Sequence, residues 1–264
     1  MLTVISPAKK LNEVPQALPD GHQMTDPEFV AQALELATLA RDLSVDQLRK
    51  LSRISEPLAR LNCDRFAAFS ATPAPGTIYP AVQCFAGDTY QGLEVRTMSA
   101  PALTWAARHL RIISGLYGLL RPFDAIQAYR LEMGSRLANP RGADLYAFWG
   151  QRIAQSLNTL AKDSGARAVL NCASVEYFGA VDPMVLHQPV ITPVFLEDRD
   201  GQAKTVSFWA KRARGAMARY VCEHQITDPA DLRSFGVGGY RHQPDRSSDR
   251  QMVFLRQAPA QQAA

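Results

Sequence analysis

Lys9, Arg130 and Glu176 are the residues whose types best suit proton-transfer chemistry in this chain. A carboxylate held beside a lysine or an arginine can take up and return a proton, and its surroundings tune that exchange. Ser6 and Lys9 follow one apolar run, Asp88 follows a second, and Asn171, Ser174, Glu176 and Tyr177 close or follow a third. Sites in α/β proteins gather at the carboxyl ends of strands. Tyr129, Arg130 and Glu132 stand together in a further loop. A purine-like base could stack on Tyr117, Tyr129 or Tyr177 while Arg130 holds a phosphate. The reaction class that suits this set is N-glycosidic bond cleavage on a nucleobase or nucleotide. The competing reading is a structural ion-pair network of Lys9, Arg130 and Glu176. No spacing matches a catalytic triad, a P-loop or a metal motif.

A second chemistry is phosphate binding. Residues 111–134, RIISGLYGLLRPFDAIQAYRLEMG, place Gly115 and Gly118 on either side of Leu116 and Tyr117, with Arg121 and Pro122 directly after. Glycine permits positive φ and close backbone approach. A helix start just beyond would aim free N–H groups at an anion. The same pair could equally be a sharp reversal in the core. Lys211, Arg212, Arg214 and Arg219 fall on one arc of a helix, roughly 160° wide at 100° per residue. The opposite face carries Trp209, Ala213, Ala216, Met217, Tyr220 and Val221. Such a helix can pack on a core and present cations to a nucleic-acid backbone, with salt-sensitive affinity. An ordinary solvated face is the alternative. Arg108, Arg111 and Arg130 add charge near the glycine pair.

Cys63, Cys84, Cys172 and Cys222 are widely spaced, form no C-x-x-C pair, and the five histidines do not cluster. No metal ligand set and no cofactor motif is expected from them. Cys172 sits in an apolar strand, so burial is expected rather than the exposed, low-pKa thiolate of a redox sensor. The net charge of +4 is mildly basic, compatible with a nucleic-acid partner. The N-terminus lacks the residue order of a signal peptide, and no run of 18 apolar residues is present to span a membrane. A cytoplasmic protein with reduced thiols is the expectation.

The elements that must position these groups follow from the apolar pattern. Strands are expected at 2–6, 81–87, 168–174, 190–197, 203–208 and 252–256. Helices are expected at about 26–42, 44–51, 56–69, from Ser99, from Asp144 to Gly165, and at 210–225. The pattern leaves 111–114 open between helix end and strand. No repeat or linker divides the chain. The result is an α/β or α+β fold, a single mixed domain of irregular topology over 1–257, with 258–264 as a disordered tail.

Several segments together resemble the YaaA family of bacterial peroxide-stress proteins: ISPAK at 5–9, FAGDTYQGL at 85–93, LRIISGLYGLLRPFDAIQAYRLEMG at 110–134, DLYAFWG at 144–150, NCASVEYF at 171–178, PVFLED at 193–198 and SFWAKRARGAMARY at 207–220. The resemblance implies a role in peroxide resistance, with less free iron and less oxidative DNA damage. It also implies a fold with a helix-hairpin-helix element in a basic cleft, and double-stranded DNA as partner. On that basis Gly115, Tyr117, Gly118 and Arg121 become the hairpin, and Lys211, Arg212, Arg214 and Arg219 a second binding surface. The alternative is an enzyme on a nucleotide-like small molecule through Lys9, Arg130 and Glu176. Direct iron sequestration has no ligand cluster to support it.

Overall fold

The first strand, Leu2–Ile5, is wholly buried and lies at the centre of the molecule. In the computed structural model, which describes residues 1–19 and 21–258, it pairs in parallel with Val169–Cys172 on one side and Leu110–Ser114 on the other. Val190–Arg199 pairs parallel to Val169–Cys172, and Gln251–Gln257 pairs parallel to Val190–Arg199. Antiparallel partners finish the sheet: Gly118–Leu120 on Leu110–Ser114, Arg241–His242 on Gln251–Gln257, and Gln202–Lys204 on Val190–Arg199. The central strands are buried along their whole length, as parallel strands covered on both faces are. Val190–Arg199 alternates half-buried and buried residues instead, as a strand with one covered face does.

Chain order makes the line between Leu2–Ile5 and Val169–Cys172 special. The chain runs from the first strand to Leu110–Ser114 on one flank, and only later to Val169–Cys172 on the other. Loops leaving the carboxyl ends of these two strands therefore depart in opposite directions and open a crevice.

The fold is thus a compact mixed α/β structure around a mostly parallel sheet, with 111–114 a strand. Three expected elements differ. The run 81–87 forms a short helix, Ala81–Cys84, and a two-residue strand, Phe85–Ala86. There the amides of Ala81 and Val82 donate to the carbonyls of Asp124 and Pro122, which ties the segment crosswise to another loop. The helix expected from Asp144 to Gly165 breaks at Gly150, whose φ of +50° and ψ of −122° end Leu145–Trp149 before Arg152–Ser164 begins. The strand expected at 203–208 stops at Lys204, and Ser207 already opens the long helix Ser207–Glu223. The tail expected at 258–264 lies outside the described residues except Ala258.

Ser207–Glu223 crosses the short helix Asp88–Leu93 where Gly92 and Gly215 face the partner backbone; a Cβ on Gly215 would overlap the Thr89 carbonyl. Ser44 caps Val45–Ser52 with a complete capping box shared with Gln47. That helix leads through the turn 53–55 into Glu56–Ala68. Arg53 forms the turn with φ of +52°, in the left-handed region usually left to glycine.

Candidate functional site

The crevice at the carboxyl ends of Leu2–Ile5 and Val169–Cys172 holds the groups that the sequence marks for chemistry. The Ser174 amide donates to Ser6 Oγ at 2.9 Å, and Ser6 Oγ approaches Ser174 Oγ at 3.4 Å, so the two loops are joined at their bases. Tyr90 Oη donates to the Ser6 carbonyl at 3.2 Å. From this base Lys9 reaches across to Glu132, with Nζ 3.7 Å from Oε1. Arg130 Nε donates to the same Oε1 at 2.9 Å. Glu176 accepts the Gly134 amide on Oε1 at 3.0 Å, and Tyr146 Oη donates to the Glu176 carbonyl at 2.9 Å.

Lys9 and Arg130 thus meet on one residue, Glu132, and Glu176 lines the same cleft through its bond to Gly134. The Glu132 side chain is 11% exposed and its Oε2 has no hydrogen-bond partner. An unsatisfied acceptor in a protein interior is costly and calls for an explanation. Glu132 lines a water-sized cavity closed by Pro7, Lys9, Phe85, Tyr129 and Tyr177. It also lines a larger open cleft of about 410 Å³, where Lys50, Arg53 and Arg136 form the rim with Lys9 and the exposed Glu176. Lys50, Arg53 and Arg136 are exposed and make no ion pair among the described residues.

Neighbouring depressions share lining residues. Lys9 and Glu132 are common to the cleft and the small cavity. Phe85 leads from the cavity into a groove of about 740 Å³ along Lys10 and Arg96. Gln91 and Glu94 carry that groove to a pocket of about 370 Å³ beside Trp209 and Arg212. Exposed cations recur along this series of neighbouring depressions: Lys50, Arg53, Arg136, Lys9, Lys10, Arg96 and Arg212.

Other sequence-derived candidates stand elsewhere. Gly115, Tyr117 and Gly118 turn a β-hairpin between Leu110–Ser114 and Gly118–Leu120, and all three are buried. This corrects the expected helix-hairpin-helix at that point: strands flank the turn, and no phosphate can reach it. Trp149 Nε1 donates to the Gly115 carbonyl at 3.0 Å, and the Trp149 ring occupies the space a Gly118 side chain would need. The Tyr117 amide donates to Ser114 Oγ, which also bonds Tyr129 Oη at 2.6 Å. Tyr117, Tyr129 and Tyr177 are each at most 9% exposed, so none offers a face for a base to stack on. Burial pushes all three hydroxyls above their ordinary pKa. Arg121 is exposed, but it lines none of these depressions. Arg111 is buried, donates to the Ala107 and Leu110 carbonyls, and is lowered by that burial to about 10.

The basic arc of the long helix divides. Lys211 and Arg212 are exposed, and Arg212 lines one of these depressions. Arg214 is half-buried. Arg219 is a structural clamp rather than a free cation: it donates to Thr97 Oγ1 at 2.6 Å, to the Thr97 and Glu94 carbonyls, and pairs with Glu223. Its surface role is corrected accordingly, because those bonds engage both terminal nitrogens of the guanidinium.

Lys50, Arg53, Arg136 and the central place of Glu132 were not legible as a site. The one available signal was the pair of cations around the short break between the helices at 44–51 and 56–69. Cys172 is buried, and desolvation raises its thiol to about 12. Among the described residues no three His, Cys, Asp or Glu side chains gather as a metal site, and no helix is long and apolar enough to cross a membrane.

Comparison with known proteins gives the site its context. A family profile described as peroxide stress protein YaaA matches residues 1–246. A UPF0246 protein of Cereibacter sphaeroides strain KD131 is 58% identical over 257 residues, covering 97% of this chain and 99% of that protein. One from Dinoroseobacter shibae is 56% identical over 259 residues, covering 98% and 96%. One from Jannaschia sp. strain CCS1 is 52% identical over the whole of both chains. With sheet, crevice and matching segments all in place, the chain belongs to the YaaA family of peroxide stress proteins.

Proposed function

We propose that this peroxide-stress protein binds nucleic acid, double-stranded DNA foremost, along the cation-lined depressions, and so limits iron-dependent oxidative damage to it. The observation that carries this reading is the rim of the cleft. Lys50 and Arg53, at the end of one helix, and Arg136, from a distant loop, converge on one opening and spend no charge on ion pairs among the described residues. Cations left solvated beside a concavity suit a phosphate backbone. The helix pair Val45–Ser52 and Glu56–Ala68 supplies the hairpin in this reading. Its turn presents Arg53 and the start of the second helix, where unsatisfied N–H groups favour an anion. Lys9, Lys10, Arg96 and Arg212 extend the contact beyond one phosphate.

Duplex affinity measured against salt tests the proposal. Each phosphate neutralised contributes about −0.9 to the slope of log K against log salt. Changing Lys50, Arg53 and Arg136 together to Gln should flatten that slope by about 2 to 3 and weaken binding to unrelated sequences equally. A triple variant with the wild-type slope would remove the cleft from the interface.

A further inference from the structure

We infer that the crevice beneath the cationic rim is also a small-molecule site, for a phosphorylated ligand with an N–H donor edge, a nucleoside monophosphate being the simplest of that class. The phosphate-backbone reading leaves the carboxylates of the cleft unexplained. Glu132 and Glu176 face the same opening as Lys50, Arg53 and Arg136, and carboxylates repel a polyanion. Glu132 is buried, held on Oε1 by Arg130 and Lys9, and its Oε2 is unpartnered. A carboxylate fixed on one oxygen and free on the other is an acceptor waiting for a donor, whereas a phosphate chain brings only acceptors.

Placement argues the same way. The crevice lies at the carboxyl ends of two adjacent parallel strands, where the chain's path switches from one flank of the first strand to the other. Open parallel sheets bind small ligands at that point. The volume of about 410 Å³ suits a mononucleotide. Phosphate would meet Arg53, Lys50 and Arg136 at the rim, and the N–H edge would meet Glu132 below. Lys9 pairs with Glu132 only loosely, at 3.7 Å, and its side chain is 66% exposed, so it can swing aside to open the path to Oε2.

The same chemistry could come from a free nucleotide or from a nucleotide within DNA, and the test separates them. The full-length protein is titrated calorimetrically with the four common nucleoside monophosphates, ribose 5-phosphate, inorganic phosphate and a short duplex. Two variants are compared: Glu132→Gln, which keeps an acceptor without charge, and Glu132→Met, which removes the acceptor at similar volume. At least one monophosphate should bind tenfold or more tightly than ribose 5-phosphate. Affinity should fall from wild type to Gln to Met, ending at the ribose 5-phosphate level, while the duplex salt slope stays unchanged. The inference is overturned if no monophosphate exceeds ribose 5-phosphate. It is equally overturned if a folded Met variant binds like wild type, or if Glu132 variants weaken duplex and monophosphate alike. Should the Met variant fail to fold, a Gln variant as tight as wild type overturns it. Monophosphate binding without duplex binding would sustain this site and sink the DNA reading instead.

Discussion

Gly118→Ala should destabilise the molecule rather than disarm it. Gly118 has φ of +68°, and a Cβ there would lie 2.5 Å from Trp149 Cζ3 and 2.8 Å from Cη2. Trp149 is fully buried and anchored by its bond to the Gly115 carbonyl, so the ring has no free direction of retreat. The left-handed backbone costs about 1 kcal/mol with a β-carbon present, and forcing a methyl into a packed core adds about 1–3 kcal/mol. The sum, about 2–4 kcal/mol, is a large share of the roughly 5–15 kcal/mol that holds a domain together. With a urea m-value of about 3 kcal/mol/M for a chain of this size, the midpoint should fall by about 1 M. Denaturation followed by tryptophan fluorescence measures it. Duplex affinity per folded molecule should not change, because the turn never meets solvent. A variant of wild-type stability with weakened duplex binding would refute this reasoning and return the turn to the surface.

Two further outcomes follow from buried titratable groups. His109 stacks on Trp105 with ring centroids 3.9 Å apart, and desolvation lowers its pKa to about 4. The unfolded chain therefore binds a proton that the folded chain refuses between about pH 6.5 and 4. Stability should drop by about 2 kcal/mol from pH 7 to pH 5, and His109→Gln should flatten that part of the profile in denaturant titrations at each pH; an equally steep profile in the variant would assign the loss elsewhere. Burial lifts Cys84, Cys172 and Cys222 each to about 12, leaving roughly one thiolate in ten thousand at pH 8. Iodoacetamide labelling read by mass spectrometry should mark the half-buried Cys63 in the native protein and the other three only after denaturation; native labelling of Cys172 at the rate of Cys63 would revive a sensor role.

The sequence revealed elements better than their meeting points. Apolar periodicity located the central strands and most helices, because burial on a sheet or a helix face leaves a repeat that local reading detects. It failed at Gly150, where a single residue of unusual ψ divides one amphipathic stripe into two helices. It failed again at 81–87, where an apolar run is tied to Asp124 and Pro122 instead of a sheet. Gly115 and Gly118 carried the right inference, close approach, toward the wrong neighbour: glycine is required equally whether a phosphate or the Trp149 ring comes near. The helices at 44–51 and 56–69 were legible, but the turn between them carried no glycine signal, because Arg53 takes its left-handed position. Lys9 and Glu176 could be placed near one another from sequence because both follow strand ends, which are legible. Glu132 is legible as a neighbour of Tyr129 and Arg130, but its central place is not, because nothing in a sequence shows which carboxylate becomes buried with one oxygen unpaired.

Hydrogen–deuterium exchange with and without a short duplex addresses the central claim most directly, since it reports where the nucleic acid sits. Amides at 50–56 and 132–136 should gain protection on binding, while those at 115–118, already buried, should not change. Protection that spares 50–56 and 132–136 and appears on another face would contradict the account.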